Sequence, residues 1–93
     1  MRDNQLAALP MLITQVQFEH HRQVTKWGIQ DRSSYEWLVY LTEEVGELAG
    51  AISEYEYRGQ PSGNIFKEAI QVATLALKIA EMSRLIAEIK EVS

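Results

Sequence analysis

The sequence predicts an all-α fold, a helical bundle completed by homo-oligomerisation. Three observations predict it. Apolar residues recur at helical spacing in three segments separated by glycine-bearing turns, and no segment alternates as a half-buried strand does. The third segment is apolar around most of its circumference, which calls for cover on more than one side. At 93 residues the chain reads as a single small domain spanning residues 1–93.

The first helix runs from about Pro10 to Thr25, with Pro10 near the first turn, where its missing N–H removes no helical hydrogen bond. Ile13, Val16, Val24 and Trp27 keep helical spacing when His20 is admitted to the same face, so His20 reads as a core or boundary histidine rather than a ligand. The loop from Lys26 to Arg32 ends this helix. It leads to Ser33-Ser34-Tyr35-Glu36, a capping box, from which the second helix continues to about Tyr57.

The apolar stripe of the second helix runs through Leu38, Leu41, Val45, Leu48, Ile52 and Tyr55. Gly46, Gly50 and Ser53 form a small-residue stripe at i, i+4 and i+7. An interior glycine costs a helix about 1 kcal/mol relative to alanine. Either close approach of another helix or room for a ligand beside the neighbouring acids accounts for the pair.

The segment from Arg58 to Asn64 is a turn by composition, with Gly59 as the helix stop and Ser62 or Asn64 as the next cap. The third helix runs from about Ile65 to Lys90, roughly 40 Å at 1.5 Å per residue. Between Gln71 and Glu81 only Lys78 is charged. Three helices in one short chain cannot cover such a helix, so a homodimer is the minimum unit, with Ile79 and Ile86 on the surface to be buried. A polar stripe remains: Lys67, Gln71, Thr74 and Lys78 lie within about 60° of one another, flanked by Glu68. Lys78 pairs with Glu81 or an acid of the second helix, or else contacts a substrate phosphate.

Composition narrows the function. A net charge of −4 argues against a nucleic-acid polymer as partner, because a phosphate backbone needs a basic face. The lack of cysteine and a hydrophobic share of 46% suit a cytoplasmic globular protein. The segment Met1-Arg2-Asp3-Asn4-Gln5 lacks the apolar core of a signal peptide. No apolar run approaches the roughly 18 residues of a membrane span.

The chemistry lies in two groups of acid, Glu43-Glu44-Val45-Gly46-Glu47 and, after 20 intervening residues, Glu68. Glu44 and Glu47 are i,i+3 neighbours and Glu43 and Glu47 are i,i+4 neighbours, so three carboxylates fall within one helical turn. They repel one another unless a positive charge lies between them. A hard cation such as Mg²⁺ or Mn²⁺ is suited to that role, since it takes oxygen ligands and tolerates several carboxylates. Against this stands the ordinary solvated acid face of a helix. Glu44, about 70° from the centre of the apolar stripe, sits at the edge of the buried face, where a carboxylate is costly without a partner.

Glu43-Glu44-Val45-Gly46-Glu47 followed by Glu68-Ala69-Ile70-Gln71-Val72-Ala73 resembles the all-α MazG-type nucleoside triphosphate pyrophosphohydrolases, whose pattern is Glu-Glu-x-x-Glu, a gap, then Glu-x-x-Asp. Lys26-Trp27-Gly28-Ile29-Gln30 is similar to the segment that precedes the acid helix in many members, and the likeness covers about residues 15 to 80. The resemblance implies hydrolysis of the bond between the α and β phosphates of a (deoxy)nucleoside triphosphate, in a nucleotide-pool house-cleaning role. It implies Glu44, Glu47 and Glu68 as ligands of Mg²⁺ (or Mn²⁺), Glu43 as the residue that assists the attacking water, and assembly as dimers or tetramers built from dimers. Lys78, Gln71 and Lys67 are candidates for substrate contact. Trp27 is another, by stacking on a base, or else it anchors the core.

One position departs from the pattern. Gln71 stands where the family's aspartate would, so the site has one negative charge fewer. That departure keeps a second function open, a catalytically weakened nucleotide-binding or helical interaction module. A di-iron carboxylate bundle fails, because it needs Glu-x-x-His and Gln17 and Phe18 stand three residues before His20 and His21.

Overall fold

The computed structural model describes residues 5–92, with side chains described as far as residue 84. Met1-Arg2-Asp3-Asn4 and the side chain of Ile86 lie outside the described residues. Three helices make up the fold: α1 (Leu9–Trp27), α2 (Ser34–Arg58) and α3 (Gly63–Val92). The chain is all-α, and no strand occurs among the described residues.

Each boundary has a local cause. Pro10 occupies the first turn of α1, and Gly28 ends it with φ 74°, a conformation that glycine adopts without steric cost, while its N–H donates to the Val24 carbonyl at 2.8 Å. The capping box forms at the start of α2. The Glu36 N–H donates to Ser33 Oγ at 3.2 Å and the Ser33 N–H donates to Glu36 Oε1 at 3.1 Å, which satisfies two donors that the helix leaves unpaired. Gly59 ends α2 in the left-handed region at φ 67°. The Ser62 carbonyl then accepts from Ile65 and Phe66 as α3 begins.

Packing centres on α3, which lies against both α2 and α1, while the backbones of those two helices do not approach each other. Trp37 and Leu75 are the buried apolar side chains among the described residues, and Thr74 is buried beside them with its hydroxyl donating to the Ile70 carbonyl at 2.7 Å. Trp37 meets the Tyr40 ring edge-on at 6.2 Å.

The face that α2 turns inward differs from the stripe that maximises its apolar content. Trp37, Tyr40, Leu41, Glu44, Leu48 and Ala51 are the buried or half-buried positions, whereas Leu38, Val45, Ile52 and Tyr55 are exposed by 38–55%. The helix is rotated by about 60° towards Glu44 relative to that stripe. Trp37 explains the choice: an indole buries more area than any residue of the apolar stripe, and it is immediately adjacent to Leu38. Gly46 and Gly50 point away from α3, and a methyl group at either would meet no atom within 4 Å. Neither glycine is needed for contact within the chain.

Candidate metal centre

α2 and α3 run antiparallel from the short turn at Gly59–Ser62, which brings the first turn-and-a-half of α3 level with the middle of α2. The inward rotation of α2 points Glu44 at that stretch, and Glu47 follows one turn later. Carboxylate oxygens of Glu44, Glu47 and Glu68 all lie within 4.8 Å of one another. Gln71, one turn beyond Glu68, closes the group: with its amide nitrogen facing the two acceptors it donates to Glu68 Oε2 at 2.8 Å and to Glu44 Oε2 at 3.0 Å.

The electrostatics follow from this crowding. Burial, then the negative charges of Glu47, Glu68 and Glu19, push the Glu44 carboxyl up to about 7. Burial and the Glu47 carboxylate raise Glu68 as well, against the pull of the Lys67 ammonium. Glu47 stands within hydrogen-bond reach of both, so these oxygen–oxygen contacts need either a proton or a cation between them.

The donor set fits a hard divalent ion. Oxygens bound to one Mg²⁺ at 2.0–2.1 Å stand between about 2.9 and 4.2 Å apart, and the three carboxylates, within 4.8 Å of one another, are close to that span. Glu44, Glu47 and Glu68 are the residues that would hold it. Glu43 is exposed and lies outside this trio.

α1 adds a polar layer that the sequence reading did not single out. Glu19 accepts from Arg22 Nε at 2.9 Å, from the second Arg22 nitrogen at 2.7 Å and from Gln23 Nε2 at 2.7 Å. Gln23 in turn accepts a hydrogen bond from Lys78 Nζ. Burial works to raise the Glu19 carboxyl, but the donors Arg22 and Gln23, with the charges of Arg22 and Lys78, outweigh it and hold Glu19 below its ordinary value. Burial lowers the Lys78 ammonium, and Glu19 opposes that shift. Lys78 therefore pairs with α1 through Gln23 rather than with Glu81 or an acid of α2. The signal for this layer was present: Glu19, Arg22 and Gln23 share one face of the first helix at i, i+3 and i+4.

The remaining candidates lie further out. Lys67 is exposed. Trp27 is 52% exposed and so is no core anchor; the Lys26 ammonium lies 4.7 Å from its ring centroid and the Arg22 guanidinium 5.8 Å away. His20 is exposed too, on the rim of an open groove of 920 Å³ between α1 and α3. No family model, curated protein or solved structure matches the chain.

Proposed function

We propose that residues 1–93 form a MazG-like domain that hydrolyses (deoxy)nucleoside triphosphates to the monophosphate and pyrophosphate, in a nucleotide-pool house-cleaning role. The convergence of Glu44, Glu47 and Glu68 from two helices onto one half-buried point carries this reading. Three like charges held that close are costly to the fold and gain their use with a cation bound.

Bound Mg²⁺ or Mn²⁺ supplies neutralising charge at the phosphates and a water of lowered pKa. The chain's own residues do the rest. Glu44, Glu47 and Glu68 would hold the ion, and Gln71 would fix the rotamers of Glu44 and Glu68 through its two donated hydrogen bonds. Glu43, exposed at the edge of the trio, accepts a proton from the attacking water. The water oxygen bonds to the α phosphorus, the α–β bridging bond breaks, and pyrophosphate leaves with that bonding pair. Lys67 and Lys78 offer positive charge to the phosphates, Gln71 offers an amide, and Trp27 offers an exposed ring for a base. Lys78 must exchange its bond to Gln23, and Gln71 one of its two donated bonds, for such a contact. Self-association as a dimer, or as a tetramer built from dimers, completes the bundle.

The neutral amide at Gln71 favours one second reading, a non-catalytic nucleotide-binding or helical interaction module built on the same cluster. Product analysis on a panel of triphosphates with Mg²⁺ separates the two. Monophosphate and pyrophosphate are the expected products. Orthophosphate with a diphosphate would place the cleaved bond wrongly, and binding without turnover would support the module.

A further inference from the structure

We propose that the groove between α1 and α3 takes the base of the substrate, and that the Trp37 Nε1–H donates to a carbonyl on the outer edge of that base, so that keto bases are selected over amino bases. The base site rests on the proposed nucleotide substrate and adds to it the residue that reads the base.

Trp37 is 6% exposed and borders the groove, and its Nε1–H is a buried donor with no acceptor among the described residues. An indole nitrogen can only donate. Left unpaired and buried, it costs the fold free energy. Its polar neighbours along the groove are committed elsewhere. The Thr74 hydroxyl is turned to the Ile70 carbonyl, while Gln23 donates its amide to Glu19 and accepts from Lys78. The missing acceptor therefore has to come from a molecule in the groove.

The position of the groove relative to the carboxylates suits a nucleotide. Trp37 and Glu44 are seven residues apart on α2, as are Gln71 and Lys78 on α3, so each pair shares one helix face two turns apart. Glu44 meets Gln71, and Trp37 lines the same groove as Thr74 and Lys78. The two layers are thus separated by about 10 Å along the helices, at 1.5 Å per residue. A sugar and a base cover that distance between an α phosphate and the outer edge of the base. The groove holds 920 Å³, within the range of about 300–1,000 Å³ usual for small-molecule sites. Val16, Val24 and Leu77 give it apolar walls for a planar ring.

The outer edge is where the bases differ. It carries a carbonyl in uracil, thymine, guanine and hypoxanthine, and an amino group in cytosine and adenine. A carbonyl there accepts from Trp37. An amino group sets donor against donor and leaves the indole N–H unpaired.

Nitrogen-15 NMR of the full chain reads the Trp37 indole N–H directly, with the Trp27 indole as reference and Trp27→Phe to assign the two signals. The probes are the α,β-imido analogues of uridine and cytidine triphosphate with Mg²⁺, whose α–β bond resists cleavage. The uridine analogue should move the Trp37 indole proton downfield and bind about tenfold more tightly than the cytidine analogue. The inosine and adenosine analogues should repeat the difference. Trp37→Phe keeps an aromatic ring and removes the donor, so it should bind the two members of each pair alike. Equal binding of keto and amino analogues by the unaltered chain would overturn the proposal. So would a response confined to the Trp27 indole, which does not border the groove, or a Trp37 signal that no analogue moves. The unaltered chain decides these outcomes even where Trp37→Phe fails to fold. Product analysis reads the hydrolysis separately: keto-selective binding without pyrophosphate release would remove the hydrolysis and leave the base site standing, and release without a Trp37 response would do the reverse.

Discussion

At the scale of single residues, the cluster is a balance between repulsion and a bridging charge. Glu44→Gln, Glu47→Gln and Glu68→Gln should each lower metal-dependent turnover by at least about 100-fold, since each removes a charged oxygen where ion-mediated stabilisation is worth several kcal/mol. Folding without metal should survive or improve, because each change relieves repulsion. Near-normal turnover in any two of the three variants would sink the ligand assignment. Gln71 is the more delicate position, for its amide donates to both Glu44 and Glu68. Gln71→Asp turns two donated hydrogen bonds into two carboxylate–carboxylate contacts. Titration calorimetry should show tighter Mg²⁺ binding by the variant, and thermal melting should show lower stability in chelator. Unchanged or weaker affinity would mean that the Gln71 position does not reach a bound ion.

At the scale of elements, the site depends on where α2 starts. The Ser33–Glu36 capping box fixes the first turn of α2 and with it the inward direction of Trp37, one residue on. Ser33→Ala removes the acceptor for the Glu36 N–H and should cost about 1 kcal/mol, which for a domain of this size lowers Tm by about 4–8 °C. Calorimetric melting checks this, and a shift under about 1 °C would show the cap to be dispensable. α1 contributes differently. Its Glu19–Arg22–Gln23 group meets Lys78 across the α1–α3 contact, so α1 sets the charge around the carboxylates without adding an oxygen to the trio.

At the scale of the whole molecule, stability should depend on pH through the same carboxylates. Glu44 is raised from 4.5 to about 7 and Glu68 is raised with it. A carboxyl that holds its proton more tightly when folded stabilises the fold fully below its unfolded value and loses that contribution as pH rises through the folded value. The metal-free protein should therefore become less stable between about pH 4.5 and pH 7. Discounted for solvent at a partly exposed group, the loss is about 1 kcal/mol. Saturating Mg²⁺ binds the ionised form and should offset it, by about 2.7 kcal/mol at a hundred times Kd. Melting curves at pH 5 and 8, with chelator and with Mg²⁺, measure both effects. Stability that rises with pH in chelator would contradict the crowded-carboxylate picture.

Local signals were legible in the sequence because their causes are local. Pro10, the Ser33–Glu36 box, Gly28 and Gly59 set helix ends through hydrogen bonds and backbone angles within a few residues, so the three helices appear with boundaries shifted by only one or two residues. The i,i+3 spacing of Glu44 and Glu47 is likewise a property of one helix. Which face each helix buries is settled between helices, and there the sequence pattern misled. Counting apolar residues centres the α2 stripe near Leu48 and Ile52, but packing against α3 buries Trp37 and draws Glu44 inward, leaving Leu38, Val45 and Ile52 outside. The tertiary structure alone joins Gln71 to Glu44, since the two are 27 positions apart and meet only when the helices pair. It also assigns Lys78 to Gln23, a contact spanning 55 positions that no helical periodicity encodes. Helix formation is decided by neighbours in the chain, and the content of the site by which faces exclude water together.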